Sequence, residues 1–379
     1  MSYIFSLTLC LFLSATCFAS LDPEVSLHDK IGQMLLLGFD GKTINAQSPI
    51  VKAIQKNNIG GVILFDYNYH TKTFDKNIAS PEQVKKLNHD LQHFTQQSNL
   101  KYHRPQLPLL ISVDYEGGQV NRLGNQYGFP IIFSAAEVGK RGLKDAEMTA
   151  GTMAYTLKEA GFNLDFAPEL DVNVNPSNPV IGKKDRSFSE NPKKVTRYAN
   201  IYTKQFLNQK IQCAYKHFPG HGSATKDSHL GFVDVTDTWK TYELEPFATL
   251  LHTRQTCGIV MTAHIVNRQL DPSGLPATLS HKILTDLLRK KLHFNGVIIT
   301  DDMQMKAISD NFGLEKALVL AINAGADMLM FGNNLDVPSQ DPDQVIRIIE
   351  NKVQSGEISQ ERINDAYQHI TELKKSLIE

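Results

Sequence analysis

The sequence predicts a single-domain α/β protein, a (β/α)8 TIM barrel with further helices at its C-terminal end. Three observations carry that prediction. Eight short apolar runs recur along the chain, each followed by polar residues and then by a helix-like segment. Continuous apolar runs of this length suit parallel strands covered on both faces, and their alternation with helices is the pattern of repeated βα units. Acidic and basic side chains gather at the ends of these runs, where a barrel keeps its chemistry. After the eighth run only helical patterns remain, so the 379 residues fit one barrel with insertions better than two domains.

The strands are read, in order, at Met34 to Phe39, Val62 to Phe65, Leu109 to Val113, Asn163 to Ala167, Ile211 to Tyr215, Ile259 to Thr262, Val297 to Thr300 and Met328 to Phe331. Helices between them have legible starts. Ser80-Pro81 with Gln83 offers an N-cap, a proline at the first helical position and a capping-box partner, and Val84, Leu87, Leu91 and Phe94 then recur on one face. Ser48-Pro49 and Asp341-Pro342 open helices in the same way, and Gly161 and Gly325 stand where helices should stop before a strand.

Composition narrows the class of partner. With 39 basic and 40 acidic side chains the formal net charge is -1, which leaves no electrostatic footprint for nucleic acid or an anionic membrane surface. Near the N-terminus, Ile4 to Leu13 is too short to span a bilayer, which needs about 20 apolar residues. Cys17-Phe18-Ala19 places small residues at both cleavage-determining positions, so residues 1–19 are predicted to be a signal peptide cut after Ala19, with the barrel occupying residues 20–379. The first basic side chain is Lys30, so only the α-amino group charges this leader. A periplasmic or secreted protein is expected, with a lipoprotein anchored at Cys17 or a cytoplasmic protein as alternatives.

Removal of the leader leaves Cys213 and Cys257, each on or beside a predicted buried strand. Two apolar-like thiols are expected there rather than a disulfide. No Cys-x-x-Cys pair exists to hold a structural zinc. His217 and His221 are four apart, but Pro219-Gly220 between them prevents the helical face on which metal-binding pairs of that spacing ride, so no metal and no cofactor are expected.

Read in order, the strand ends carry Asp114 and Glu116, then Asp171, then Lys216 and His217, then His264, then Asp301 and Asp302. A barrel converges its strand C-termini on one mouth, so these groups can share a pocket. Taken singly, Asp171 is equally well read as a ligand of loop amides and His264 as a satisfied mouth histidine.

Lys216-His217-Phe218-Pro219-Gly220-His221-Gly222 is followed by Asp227-Ser228-His229, and Val297 to Met303 ends a strand in an acid pair. At these residues the chain resembles the family-3 glycoside hydrolases, in particular their short β-N-acetylglucosaminidase branch. The resemblance runs from about Ile31 to Phe331. It implies that Asp301 is the catalytic nucleophile, leaving Asp302 as a loop-capping neighbour. It also implies that His229 is the acid/base and Asp227 its partner, replacing the acid that many members recruit from a second domain. The chemistry is coherent, because an imidazole exchanges protons near neutrality and a carboxylate two residues away can orient it. Asp114, Arg122, Arg186, Lys216 and His217 are implied as substrate-binding residues. Gln119 and Ser223 depart from the family pattern, and Lys183-Lys184-Asp185 lengthens the loop before Arg186.

The expected protein is an exported, cofactor-independent, retaining exo-β-N-acetylglucosaminidase. Its substrates would be peptidoglycan fragments or chitin-type oligosaccharides, small glycans handled by a monomer. A glycoside phosphorylase, a broader β-glucosidase and a catalytically silent glycan-binding barrel are the alternatives; for the first, a histidine acid/base repels a phosphate acceptor less than a carboxylate does.

Overall fold

In the computed structural model, which describes residues 25–378, the apolar runs form one parallel eight-stranded sheet. Its strands are β1 (Leu35–Gly38), β2 (Gly61–Leu64), β3 (Leu110–Val113), β4 (Leu164–Asp165), β5 (Gln212–Phe218), β6 (Ile259–Thr262), β7 (Val297–Ile299) and β8 (Leu329–Phe331). Neighbours in sequence are neighbours in the sheet, and β1 pairs with β8 through Leu36 opposite Met330. A bridge between Ile299 and Met328, with Thr300 N–H donating to Met328 O at 3.0 Å, closes the circle between β7 and β8. The result is the predicted (β/α)8 barrel. Every residue of these eight strands is buried, which explains why each reads as an apolar run rather than as an alternating one. The predicted signal peptide lies outside the described residues.

The helix starts follow local chemistry. Ser80 Oγ accepts from Gln83 N–H at 3.2 Å and caps Pro81–Lys101, while Gln83 Oε1 accepts from Ala79 N–H at 2.8 Å. Asp341 Oδ1 caps Pro342–Gln354 through Asp343 N–H. Ser48 differs: its hydroxyl accepts from Asn45 N–H at 2.9 Å and leaves the helix Pro49–Asn57 without a side-chain cap. Gly161 and Gly325 end their helices in the left-handed conformation with φ of 81° and 117°. At the end of the barrel away from the mouth, Asp327 accepts from Ile298 N–H and gathers Arg289, Arg362 and His369 around it. The C-terminal helix Gln360–Lys375 packs on Leu27–Gln33 and buries Lys374, whose Nζ donates to Gln33 Oε1 at 2.6 Å.

Two expectations are corrected. β5 does not stop at Tyr215 but runs to Phe218, because Phe218 pairs with Thr262 and Lys216 bridges to Glu169. Its register shifts between Tyr215 and Phe218, an irregularity of the kind that re-aims side chains beside active sites. Lys216 and His217 therefore lie in the strand, not on the loop after it.

The second correction concerns the cysteines. Cys213 and Cys257 form a disulfide, with Cα atoms 4.9 Å apart. β5 and β6 are paired neighbours, with Ala214 opposite Ile259, and this adjacency brings together residues separated by 44 positions. Closing a loop of that length is worth about 2 to 4 kcal/mol of stability. The Cys213→Ala, Cys257→Ala double variant is expected to unfold at lower denaturant concentration, and a reductant should lower the wild-type midpoint while leaving the variant's alone. Equal midpoints for both proteins under oxidising conditions would refute a stabilising bond.

Candidate active site

The strand ends and the loop after β5 bring the predicted residues to one opening. A cavity of about 500 Å³ is bordered by Asp301, His229, Asp227, Asp114 and Arg122. It continues inward into a recess of about 110 Å³, whose lining adds Arg186, Lys216, His217 and His221. Each residue to which the resemblance gave a catalytic or binding role borders this space, whereas Glu116, Asp171 and His264, also at strand ends, do not line it.

Asp301 follows β7, whose end is held by Thr300 Oγ1 accepting from Met330 N–H at 3.0 Å. The Asp302 N–H donates to Asp301 Oδ1 at 2.8 Å. Burial opposes ionisation of Asp301, but the imidazoles of His264, His217 and His229 and the Asp302 amide outweigh it and hold the carboxyl below its ordinary pKa. Asp302 goes the other way. Burial lifts it to about 7, against the opposing amides of Gln304 and Gly332. Its Oδ1 accepts from Gln304 N–H at 3.0 Å, the loop-capping contact. Adjacent acids that both line the cavity are thus separated into an ionised one and one shifted toward neutrality.

His264 has both nitrogens engaged, Nε2 with the Asp302 carbonyl at 2.9 Å and Nδ1 with Thr278 Oγ1 at 2.7 Å. A carbonyl only accepts, so Nε2 carries a proton and donates it there. This is a satisfied mouth histidine.

Asp227 Oδ1 accepts from the backbone N–H of His229 at 2.9 Å and meets its Nδ1 at 2.7 Å. Burial would raise Asp227, yet the hydrogen bond and charge of His229 bring it down to about 2. With Nδ1–H given to the carboxylate, Nε2 is the nitrogen left to exchange a proton with a ligand. The dyad sits on an exposed loop, with the His229 side chain 44% accessible. Between the two, buried Ser228 fastens the loop to β5's outgoing segment through its Oγ, 3.2 Å from His221 Nε2. Burial and the nearby His217 charge push His221 down to about 4, so it serves as a neutral hydrogen-bonding imidazole.

Beneath the cavity lies a run of alternating charges. Lys216 Nζ is 2.9 Å from Asp114 Oδ1 and 2.6 Å from Glu116 Oε1. Arg186 forks onto Glu116, with Nε and Nη2 donating at 2.8 and 2.7 Å, and Nη2 also lies 3.0 Å from Glu169. His217 Nδ1 meets Glu169 at 3.0 Å and Asp171 at 2.8 Å. Burial alone would lower His217, but these two carboxylates raise it to about 10 and keep it cationic. Asp171 does bond a loop amide, accepting from His221 N–H at 2.6 Å, and it also accepts from the strand N–H of His217 at 3.2 Å and orients the His217 ring.

Glu116 and Arg122 are placed by a tight hairpin, Tyr115–Gly117 against Val120–Asn121. Gly117 and Gly118 turn it at φ of 90° and 56°, a conformation glycine adopts without strain, and Arg122 N–H closes onto Asp114 O at 3.1 Å. The lengthened loop before Arg186 coils as a short helix, Gly182–Lys184, and Arg186 reaches the recess. Gln119 Nε2 donates to Lys183 O at 3.4 Å, tying the hairpin to that loop. Sequence reasoning missed Glu169, which lies on no recognisable strand, and Asp66, although Asp66 ends an apolar run and the strand-end rule could have found it.

Glu169, Asp171 and His217 hold potential metal-ligand atoms within 4.8 Å of one another. Each is already engaged, Glu169 by Arg186 and His217, Asp171 by His217 and His221, so the donor set reads as an ion-pair network rather than a vacant cage.

The profile of the glycosyl hydrolase family 3 N-terminal domain matches residues 26–373. Beta-hexosaminidase A of Pseudoalteromonas piscicida is 34% identical over 97% of this chain and 64% of its own length. Beta-hexosaminidase of Idiomarina loihiensis is 30% identical over 87% of this chain and 95% of its own. Among solved structures, a glycoside hydrolase family 3 beta-N-acetylglucosaminidase from Paenibacillus sp. str. FPU-7 superposes with a TM-score of 0.82 at 33% identity, covering 93% of this chain and 63% of that one. The chain therefore spans less than two thirds of the first of these relatives and of this structure.

Proposed function

The chain belongs to glycosyl hydrolase family 3, and from that membership we propose that it is a retaining exo-β-N-acetylglucosaminidase. The observation that carries the reading is the pairing of an ionised Asp301 with the Asp227–His229 dyad across one cavity. In the first step the Asp301 carboxylate forms a bond to the anomeric carbon as the glycosidic C–O bond breaks. His229 gives its proton to the departing oxygen, and Asp227 had stabilised the imidazolium that carried it. In the second, His229 takes a proton from water, whose oxygen bonds to the anomeric carbon and releases Asp301, with net retention.

Asp114, Arg122, Lys216, His217 and Arg186 are proposed to fix the terminal sugar. Those groups that reach the recess present their remaining donors and acceptors to its hydroxyls. The name of the Paenibacillus structure supports an N-acetylated substrate, and the names of the two curated relatives a hexosamine. An acetamide-shaped pocket leaves polar groups unpaired when a 2-hydroxyl sugar binds, at about 1 to 3 kcal/mol per group. The test is a matched pair of aryl β-glycosides differing only at the 2-position, assayed with and without phosphate. Preference for the 2-acetamido sugar without phosphate dependence is expected. Better turnover of the glucoside would make it a β-glucosidase, phosphate dependence a phosphorylase, and no turnover a binding barrel.

We further propose export to an oxidising compartment. The Cys213–Cys257 disulfide supports it, since such bonds persist outside the reducing cytoplasm, as does the apolar leader with its Cys17-Phe18-Ala19 site. Intact-mass analysis of the native protein should show a chain beginning at Ser20.

A further inference from the structure

Asp66 follows Phe65 at the C-terminal end of β2, is 4% exposed, and has no part in the chemistry above. Among the described residues its Oδ1 has no hydrogen-bond partner, and its Oδ2 accepts only a 3.4 Å bond from the Tyr127 hydroxyl. Burial raises its pKa, with the Arg122 charge and the N–H groups of Tyr67 and Asp66 acting in opposition. A buried carboxylate oxygen without a donor is destabilising, and it calls for an outside group to satisfy it. This one borders ligand space on two sides. Asp66, Tyr67 and Arg122 line both the catalytic cavity and an adjoining groove of about 690 Å³.

Two aromatic rings, Tyr67 and Phe74, stand in the wall of that groove, and Tyr69 of the catalytic cavity helps to hold them. Tyr67 packs edge-on against Tyr69 at 5.7 Å and against Phe74 at 5.0 Å between ring centres. Tyr69 and Phe74 remain 42% and 62% exposed, so the cluster offers ring surface to solvent rather than to the core. Its backbone is fastened to the β8 side of the mouth. Asn334 accepts from Tyr69 N–H at 3.0 Å and donates to Tyr67 O at 2.9 Å, while buried Lys76 donates to Asn333 O at 2.6 Å. A preformed ring of exposed aromatics beside an unsatisfied acceptor suits a ligand with apolar faces and hydroxyl edges, which is the character of a pyranose.

We propose that this groove is a leaving-group subsite that binds the further sugars of a neutral, linear β-linked N-acetylglucosamine oligomer. Asp66 accepts a hydroxyl or amide hydrogen from the oligomer, and Tyr67 and Phe74 lie against its ring faces. An exo-acting enzyme has units beyond the cleaved sugar only on the leaving-group side, and the groove is continuous with the cavity that holds His229. A substrate carrying carboxylates, such as a peptidoglycan fragment, would bring negative charge beside Asp66, and Arg122, the one cation in the groove lining, is assigned above to the terminal sugar. The proposal rests on the β-N-acetylglucosaminidase reading and selects the chitin-type substrate within it.

The experiment compares kcat/KM on N-acetylglucosamine di- and tetrasaccharides with kcat/KM on an aryl β-N-acetylglucosaminide, for wild type, Phe74→Ala and Asp66→Asn. Wild type should gain efficiency from dimer to tetramer. In each variant the tetramer-to-aryl ratio should fall about tenfold, the loss of one good contact. Phe74 is mostly exposed, so its truncation keeps the test open if Asp66→Asn misfolds. Unchanged ratios, with the aryl substrate still turned over, would overturn the groove alone. A wild type inactive on the aryl substrate would overturn the activity and the groove with it.

Discussion

Asp301→Asn is expected to lower kcat on any β-N-acetylglucosaminide by about 10³-fold or more, with the fold intact. The amide keeps an oxygen for the Asp302 N–H, the one direct hydrogen bond that Asp301 makes among the described residues, so the local structure has no reason to change. What disappears is the negative charge. Three imidazoles around the carboxyl favour its ionised form, and a neutral amide cannot close the covalent ester to the anomeric carbon. Circular dichroism and a melting curve check the fold, and proton NMR of the wild-type reaction checks the stereochemistry. A variant with near-native turnover, or an α-anomer as first product from a β-substrate, would remove Asp301 from the mechanism.

His229→Ala should produce a loss that depends on the leaving group. On oligosaccharides, whose departing alkoxide must be protonated, general-acid removal should reduce kcat/KM by about 10² to 10⁴-fold. An aryl substrate with an acidic phenol leaves without that proton and should lose far less. Hydrolysis of the intermediate then becomes slow, because no base activates water, so a burst of phenol should precede a slow steady state. Azide needs no deprotonation and should restore turnover of the aryl substrate. Losses of equal size on both substrates would assign His229 a structural role. The geometry favours proton transfer, since its Nδ1 is committed to Asp227 at 2.7 Å and one ring nitrogen is left over.

Much of the barrel was legible because its strands are buried on both faces, so Val297-Ile298-Ile299 or Leu35-Leu36-Leu37 stand out as runs. The end of β5 was not, since Lys216 and His217 are strand residues whose polar groups are satisfied by carboxylates just beyond β3 and β4. Local sequence contains no sign of those partners. The cysteines illustrate the same limit: Cys213 and Cys257 are 44 positions apart, and only strand adjacency reveals that they meet. The Asp227–His229 contact fell where the resemblance pointed, and it is local, an Asp and a His two residues apart bonding through one turn. Its anchorage was not, because the pairing of Ser228 with His221 depends on how the loop folds back.

The alternating charges from Asp114 through Lys216, Glu116, Arg186 and Glu169 to His217 and Asp171 also bear on how such a protein can diverge. Loss of one partner from a buried pair leaves the other stranded at about 3 to 5 kcal/mol, a large share of the roughly 5 to 15 kcal/mol by which a domain is stable. Drift by single substitutions is therefore nearly closed to these positions, and a change of preference for the terminal sugar would need several coordinated replacements. Rim residues such as Phe74 and Tyr69 carry no such debt to their neighbours. Descendants of this barrel should accordingly differ first in how long a chain they accept, and only much later in which sugar they cut from its end.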